Sequence, residues 1–133
     1  MPKKHALCSV EELLRMLEAR AKVRGHELEN GLPSRANAQV NIMAKLSIEL
    51  LRRGDSGRQG ILELLSSDNP HVRSWAAFLA LEFDPATAEH VLQEISDNYQ
   101  RGLRSEARIT LAQWRKGQLK PIGQWSFKDS KIT

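Results

Sequence analysis

Two prolines, each preceded by a residue that favours helix capping, constrain this chain more than any other feature. Asp68 or Asn69 can cap a helix with Pro70 in its first turn, and Asp84 with Pro85 repeats the arrangement. Apolar residues after the first proline recur along one helical face: Val72, Trp75, Ala76, Leu79, Ala80 and Phe83. Those after the second proline are Ala88, Val91, Leu92 and Ile95. The stretch therefore predicts an αα-hairpin with a very short turn, which must pack on neighbouring helices.

The N-terminal part of the chain predicts a first helix and a connector. Ser9 and Glu12 have the spacing of a capping box, and an apolar stripe follows them. We expect this helix to end at Gly25, because glycine favours the left-handed conformation that closes many helices. Residues 26–34 contain Gly31 and Pro33 and are interpreted as a connector.

Two further helices are predicted before the hairpin. The second helix should run from about residue 36 to residue 53, with apolar residues on more than one side and Gly54 at its end. Asp55 or Ser56 can then cap a short third helix that continues to Leu65.

The C-terminal part predicts a sixth helix and a tail. We expect a loop around Gly102 and a helix from Leu103 or Ser105 to Lys116, closed by a left-handed Gly117. Beyond it, Trp125 and Phe127 alternate with polar residues, which is typical of a short extended segment. Two large aromatic residues favour a tail that folds back onto the helices, and the alternative is an arm that docks on a partner.

Length and composition favour a single cytoplasmic helical domain. A chain of 133 residues is long enough to bury a core without disulfides, and we assign residues 1–117 to the domain and 118–133 to the tail. The single Cys8 has no pairing partner in the chain, as suits a reducing compartment. The sequence shows neither a signal peptide nor a stretch of about 20 apolar residues, so we predict no membrane association.

The net charge of +4 conceals an uneven distribution. Residues 61–100 carry seven acidic residues and Arg73 as their single arginine or lysine, whereas residues 101–133 carry eight basic and two acidic residues. The basic segment can attract nucleic acid, neutralise the acidic segment beside it, or face an acidic protein.

The sequence contains no pattern typical of catalysis or of a cofactor site. His5 and Cys8 form an isolated HxxC pair, while His26, His71 and His90 are scattered, so we predict no metal site. His71 is expected to be exposed because it follows a proline in a first helical turn. The glycines between residues 54 and 60 are not followed by a Lys-Ser or Lys-Thr pair and do not predict a phosphate-binding loop. We predict no cofactor and no enzymatic activity.

Two sets of residues carry a family resemblance. The run DNPHVRSWAAFLALEFDPATAEHVL resembles a HEAT-type repeat. The blocks 37–54 and 105–117, together with this hairpin, are similar to a small bacterial HEAT-like family of domains of unknown function. Asn41 stands where that family tends to have an aspartate.

The resemblance covers residues 36–117 and implies an all-α fold, a HEAT-like stack of αα-hairpins with about six helices and a short extended tail. It also implies that Arg73 bridges to an acid in an adjacent repeat. Relatives of this build occur beside bacterial toxin genes, and the chain looks like an immunity protein of the contact-dependent growth inhibition type. Its expected partner is a cognate toxin domain, such as a nuclease.

Two functional hypotheses follow. The leading one is a non-enzymatic protein-binding module whose acidic contact residues are Glu63, Glu82, Glu89, Glu94 and Asp97. The alternative is nucleic-acid binding through a basic face formed by Arg101, Arg104, Arg108, Arg115, Lys116 and Lys120. We predict a structural core that includes Trp75, Leu79, Phe83, Leu92, Leu111 and Trp114.

Overall fold

A computed structural model describes residues 4–99 and 101–125, with the backbone alone at Arg101. These residues contain α-helices and two short 3-10 turns but no strand, which confirms the predicted all-α class. The helices are α1 (Val10–Glu29), α2 (Pro33–Arg52), α3 (Asp55–Leu64), α4 (Pro70–Ala80), α5 (Pro85–Asn98) and α6 (Arg101–Arg115). None of the helices described has the length and apolar composition needed to span a membrane.

The described chain divides into two compact units. The N-terminal unit comprises residues 4–60 and 122–125, and the C-terminal unit comprises residues 61–99 and 101–121. The division falls within α3, so this helix contributes residues to both units. The assignment of residues 1–117 to one domain and 118–133 to a tail stays a prediction.

The N-terminal unit is built on the pair α1 and α2, which pack against each other. Each helix contributes a stripe of fully buried side chains, including Leu13 and Leu17 from α1 and Met43 and Leu50 from α2. Ile122, in the 3-10 turn Ile122–Gln124, is also buried in this unit, and that turn contacts α2. Residues 122–124 of the predicted tail thus pack onto a helix, while Phe127 lies outside the described residues.

The predicted end of the first helix at Gly25 is wrong. Gly25 is buried inside α1, whereas Gly31 has the positive φ of 69° that closes the helix. The N–H of Leu32 donates to the carbonyl of Glu27 at 2.8 Å, and the N–H of Gly31 donates to that of Leu28 at 3.2 Å. These two bonds satisfy carbonyls of the last turn, so the connector shrinks to three residues before α2 begins at Pro33.

Arg53 fastens the N-terminal 3-10 turn (His5–Leu7) to the end of α2. Its Nη2 lies 3.2 Å from the carbonyl oxygen of His5 and 2.7 Å from that of Cys8, while its Nε donates to Glu49 Oε2 at 3.0 Å. The clamp holds the chain close to α2, and the Cys8 side chain beside it is 5% exposed.

Two glycines allow α3 to approach the preceding helices closely. A Cβ atom on Gly57 would overlap the backbone carbonyl of Leu50 in α2, and one on Gly60 would overlap the end of the Leu14 side chain in α1. These glycines therefore serve packing. The predicted cap for α3 lies in the right place, since the helix starts at Asp55 after a left-handed Gly54.

The C-terminal unit contains the predicted hairpin as α4 and α5. Asn69 Oδ1 accepts hydrogen bonds from the N–H groups of His71 at 2.9 Å and Val72 at 3.3 Å, and Asp84 caps α5. The two caps and first-turn prolines are confirmed. However, α4 ends at Ala80, so Phe83 lies in the turn between the helices and is only half-buried.

Helix α6 packs along α5 and also contacts α4. It begins at Arg101, so the predicted loop around Gly102 is wrong and Gly102 is helical. Ala107 and Leu111 of α6 are buried. At the other end, the predicted left-handed Gly117 is confirmed by its φ of 70°.

Candidate functional site

Two of the predicted acidic contact residues are engaged inside the C-terminal unit. Glu89 Oε1 lies 3.4 Å from Arg115 Nε, and Glu94 Oε1 lies 3.7 Å from Arg73 Nη2. Each pair joins residues that are distant in sequence, and Glu89 is half-buried. The carboxylates of Glu89 and Glu94 therefore carry less free charge toward a partner than the sequence predicts.

Arg73 is the centre of a polar cluster at one end of the hairpin. Its Nη1 donates to the carbonyl of Ser67 at 2.8 Å, and its Nη2 donates to the hydroxyl of Tyr99 at 2.8 Å. Its guanidinium carbon also lies 5.7 Å from the centre of the Tyr99 ring. The resemblance implied an acid from an adjacent repeat, but Glu94 belongs to α5 of the same hairpin.

Two arginines of the predicted basic face are also bonded to groups inside the C-terminal unit. Arg108 Nε donates to Ser96 Oγ at 3.2 Å, and Arg115 Nε donates to Glu89. Arg104 is half-buried, Lys116 and Lys120 are exposed, and the side chain of Arg101 lies outside the description. Of the alternatives left open by the charge count, neutralisation of the acidic segment is the one for which these contacts are direct evidence.

Three predicted acidic residues remain on the exposed surface of the C-terminal unit: Glu63, Glu82 and Asp97. Asp97 Oδ1 accepts a hydrogen bond from Gln93 at 3.0 Å. Within the part of the chain that the structure describes, Glu63 and Glu82 make no ion pair and no side-chain hydrogen bond. Their charges are therefore available to a binding partner.

Glu82 also lines a half-open groove of about 290 Å³. We call it the aromatic groove, and its lining residues are Phe78, Glu82, Trp114, Leu119 and Pro121. Phe78 belongs to α4, Glu82 follows that helix, and Trp114 is in the last turn of α6. The result is an apolar wall of two aromatic rings with one carboxylate beside it.

Two local arrangements position the aromatic groove. The ring of Phe78 packs against the buried ring of Trp75, with 5.3 Å between their centres and 54° between their planes. On the other side, Gly117 reverses the chain, and the N–H of Gln118 donates to the carbonyl of Gln113 at 2.8 Å. This turn brings Leu119 and Pro121 back to Trp114.

Sequence reasoning missed Phe78 and assigned Trp114 to the core. Trp114 is half-buried and lines the groove, while Trp75, Leu79, Leu92 and Leu111 are buried. Phe78 lies outside the apolar stripe of α4, three residues after Trp75 and four before Glu82. An aromatic residue off the buried face of a helix was the available signal.

The histidines do not gather into a site within the described residues. His71 was expected to be exposed but is only 7% exposed, because it lies on a helix, α4, that is buried along most of its length. His90 is exposed on α5. No group of three or more potential metal ligands is found among the residues described.

Comparison with known proteins identifies a family and a fold. A family model described as a domain of unknown function, DUF2019, matches residues 13–114. The crystal structure of the protein RPA1889 from Rhodopseudomonas palustris CGA009 is similar, with a TM-score of 0.81 and 24% sequence identity. The match covers 90% of this chain and 99% of that chain, and at this identity it shows the fold alone. No curated protein matches the chain.

Proposed function

The chain belongs to the DUF2019 family, a domain of unknown function, and we propose that it is a non-enzymatic protein-binding module. The observation that carries this proposal is the exposed carboxylate of Glu82 at the aromatic groove, with no ion-pair partner among the described residues. Protein interfaces typically combine a central apolar pocket with charged groups that orient the partner. Glu63 and Asp97 add exposed negative charge to the same unit.

The finer form of the proposal is an immunity protein that binds and neutralises a basic toxin domain in the bacterial cytoplasm. It is supported by the resemblance in helical build to proteins encoded beside toxin genes. Acidic residues that attract a basic domain raise the association rate of such a complex and block the surface that the toxin needs. The proposed contact set is accordingly centred on Glu82 and Glu63, because Glu89 and Glu94 are engaged in internal ion pairs.

The test searches the genes that flank this one for a toxin domain and co-expresses that domain with the protein. We expect the protein to restore growth and to form a complex with that domain. Glu82→Gln and Glu63→Gln should each slow association by a few-fold at low salt and by less at high salt, because steering between exposed charges is screened. Stopped-flow measurements at several ionic strengths give the association rates.

The matched control is Glu11→Gln in the N-terminal unit, where the carboxylate is 83% exposed and lies 3.9 Å from Arg15. It removes the same charge from a residue outside the proposed contact set and should leave the association rate unchanged. If all three variants associate at the same rate at every ionic strength, Glu82 and Glu63 are not contact residues. Failure to restore growth would exclude the immunity function.

A further inference from the structure

We propose that the aromatic groove binds one cationic side chain of the partner protein, an arginine guanidinium in preference to a lysine ammonium. This inference rests on the proposed protein-binding function and specifies the chemistry that the partner must present. It assigns a binding role to Phe78, Trp114, Leu119 and Pro121 as well as to Glu82.

The lining of the groove matches the two parts of an arginine side chain. Aromatic ring faces attract a cation, and the planar guanidinium stacks on them. The three methylene groups can pack against Leu119 and Pro121. The carboxylate of Glu82 is then the acceptor for guanidinium N–H donors, in the charge-assisted hydrogen bond that arginine forms with carboxylates.

The size and rigidity of the groove favour a single side chain over a larger ligand. Its volume of about 290 Å³ lies at the lower limit of the roughly 300–1,000 Å³ typical of small-molecule sites. The Trp75 ring supports Phe78, and the Gly117 turn holds the return segment next to Trp114. A preformed pocket of this kind lowers the entropic cost of anchoring a partner residue.

Charge complementarity identifies the occupant as a cation. Glu82 is exposed, and its carboxylate makes no ion pair with the residues described. An apolar or acidic side chain would leave this carboxylate without a partner or place two negative charges together. Two other carboxylates of the same unit, Glu89 and Glu94, are already paired with arginine side chains, so a guanidinium is a partner that acids of this unit do bind.

The experiment uses three capped tripeptides with arginine, citrulline or norleucine in the centre, titrated into the intact protein. Citrulline has the shape of arginine without its charge. The readout is the indole N–H resonance of Trp114 in two-dimensional NMR, assigned from a Trp114→Leu variant. We expect saturable shifts with the arginine peptide and binding at least about fivefold weaker with the citrulline peptide.

Two variants separate the roles of the carboxylate and the ring. Glu82→Gln should weaken binding of the arginine peptide about fivefold, and Glu11→Gln, which removes an exposed acid that does not line the groove, should leave it unchanged. Trp114→Leu retains an apolar side chain and should abolish the preference for arginine over norleucine. Because this variant lacks the indole, its binding is followed through the backbone amide resonances of Phe78 and Leu119, which also line the groove. Circular dichroism confirms that each variant is folded.

Several results would overturn the inference. Equal binding of the arginine and citrulline peptides would show that the groove does not recognise positive charge. Tighter binding of the norleucine peptide would show that the groove binds an apolar side chain. If the Trp114 resonance shifts with protein concentration in the absence of peptide, the groove binds a second copy of the chain. Arginine binding without any toxin complex contradicts the proposed function alone, whereas a toxin complex unaffected by Trp114→Leu contradicts this inference alone.

Discussion

At the scale of single residues, Arg73 shows how one side chain can join three parts of the C-terminal unit. Its guanidinium contacts the carbonyl of Ser67 before α4, Glu94 on α5 and the hydroxyl of Tyr99 after α5. The side chain is only 13% exposed, whereas that of Glu94 is 50% exposed. Solvent screens the ion pair, so the two hydrogen bonds at 2.8 Å account for most of its stabilising effect.

We expect Arg73→Met to lower the free energy of unfolding by about 2 kcal/mol, because two hydrogen bonds to a charged donor are lost. Arg73→Lys should retain only part of this stability, since a single ammonium does not reproduce the planar fork of guanidinium donors. Urea denaturation followed by circular dichroism measures the difference.

The matched control is Arg115→Met, because the Arg115–Glu89 pair is also between distant residues but its arginine side chain is 56% exposed. Arg115→Met should lower the free energy of unfolding by less than about 1 kcal/mol. An equal loss of stability in Arg73→Met and Arg115→Met would contradict the structural role of Arg73.

At the scale of helices, the start of α3 depends on how closely it approaches α1 and α2. Helix propensity alone disfavours a segment with glycines at both positions 57 and 60. Those glycines are retained in a helix because any side chain would meet Leu50 of α2 or Leu14 of α1. The two obstacles differ, since the first is backbone and the second is the flexible end of a side chain.

We therefore expect Gly57→Ala to destabilise the protein by about 2 kcal/mol or more, since α3 must move away from the carbonyl of Leu50. Gly60→Ala should cost less, about 1 kcal/mol, because the Leu14 side chain can rotate. Gly102→Ala is the control: nothing lies within 4 Å of a Cβ there, and alanine in this α6 position should be neutral or stabilising. Thermal and urea denaturation measure the stabilities of the three variants. A greater loss of stability for Gly60→Ala than for Gly57→Ala would contradict this prediction.

At the scale of the whole molecule, the opposite charges of the two sequence segments are largely combined in one unit. Residues 61–121 contain eight acidic and seven basic residues, although the acidic ones come mostly before residue 100 and the basic ones mostly after it. Helix α6 lies along α5, where Arg108 and Arg115 donate to groups on the acidic helix. The basic face predicted from the sequence is thus partly neutralised by its own neighbour.

From this arrangement we expect Arg108→Gln with Arg115→Gln to leave the salt dependence of any duplex DNA binding unchanged. Each phosphate contact contributes about −0.9 to the slope of log affinity against log salt, so two lost contacts would be visible. Fluorescence anisotropy with a labelled duplex over a salt series provides the slope. Arg35→Gln, an exposed arginine of the N-terminal unit, is the control. A slope reduced by nearly two in the double variant alone would favour the nucleic-acid alternative.

Local interactions explain which predictions hold. The Ser9 capping box, the Asn69 and Asp84 caps and the left-handed Gly54 and Gly117 involve residues a few positions apart, and all are present. The predicted helix end at Gly25 and the predicted loop around Gly102 are wrong because glycine is compatible with both helix and turn. Gly25 and Gly102 are helical, and the surrounding hydrogen bonds, not the residue type, decide between the two.

The helical class, most helix boundaries and the hairpin follow from local sequence patterns, because caps, prolines and apolar periodicity act within a turn or two of helix. Which charges are free depends instead on how distant helices pack together. Arg115 and Glu89 are 26 residues apart, so their pairing depends on α6 lying against α5. The aromatic groove likewise exists only where α4, the end of α6 and the segment after Gly117 meet. Contacts between distant segments carry no local periodicity, so the free carboxylate of Glu82 and its aromatic neighbours emerge only from the packed molecule.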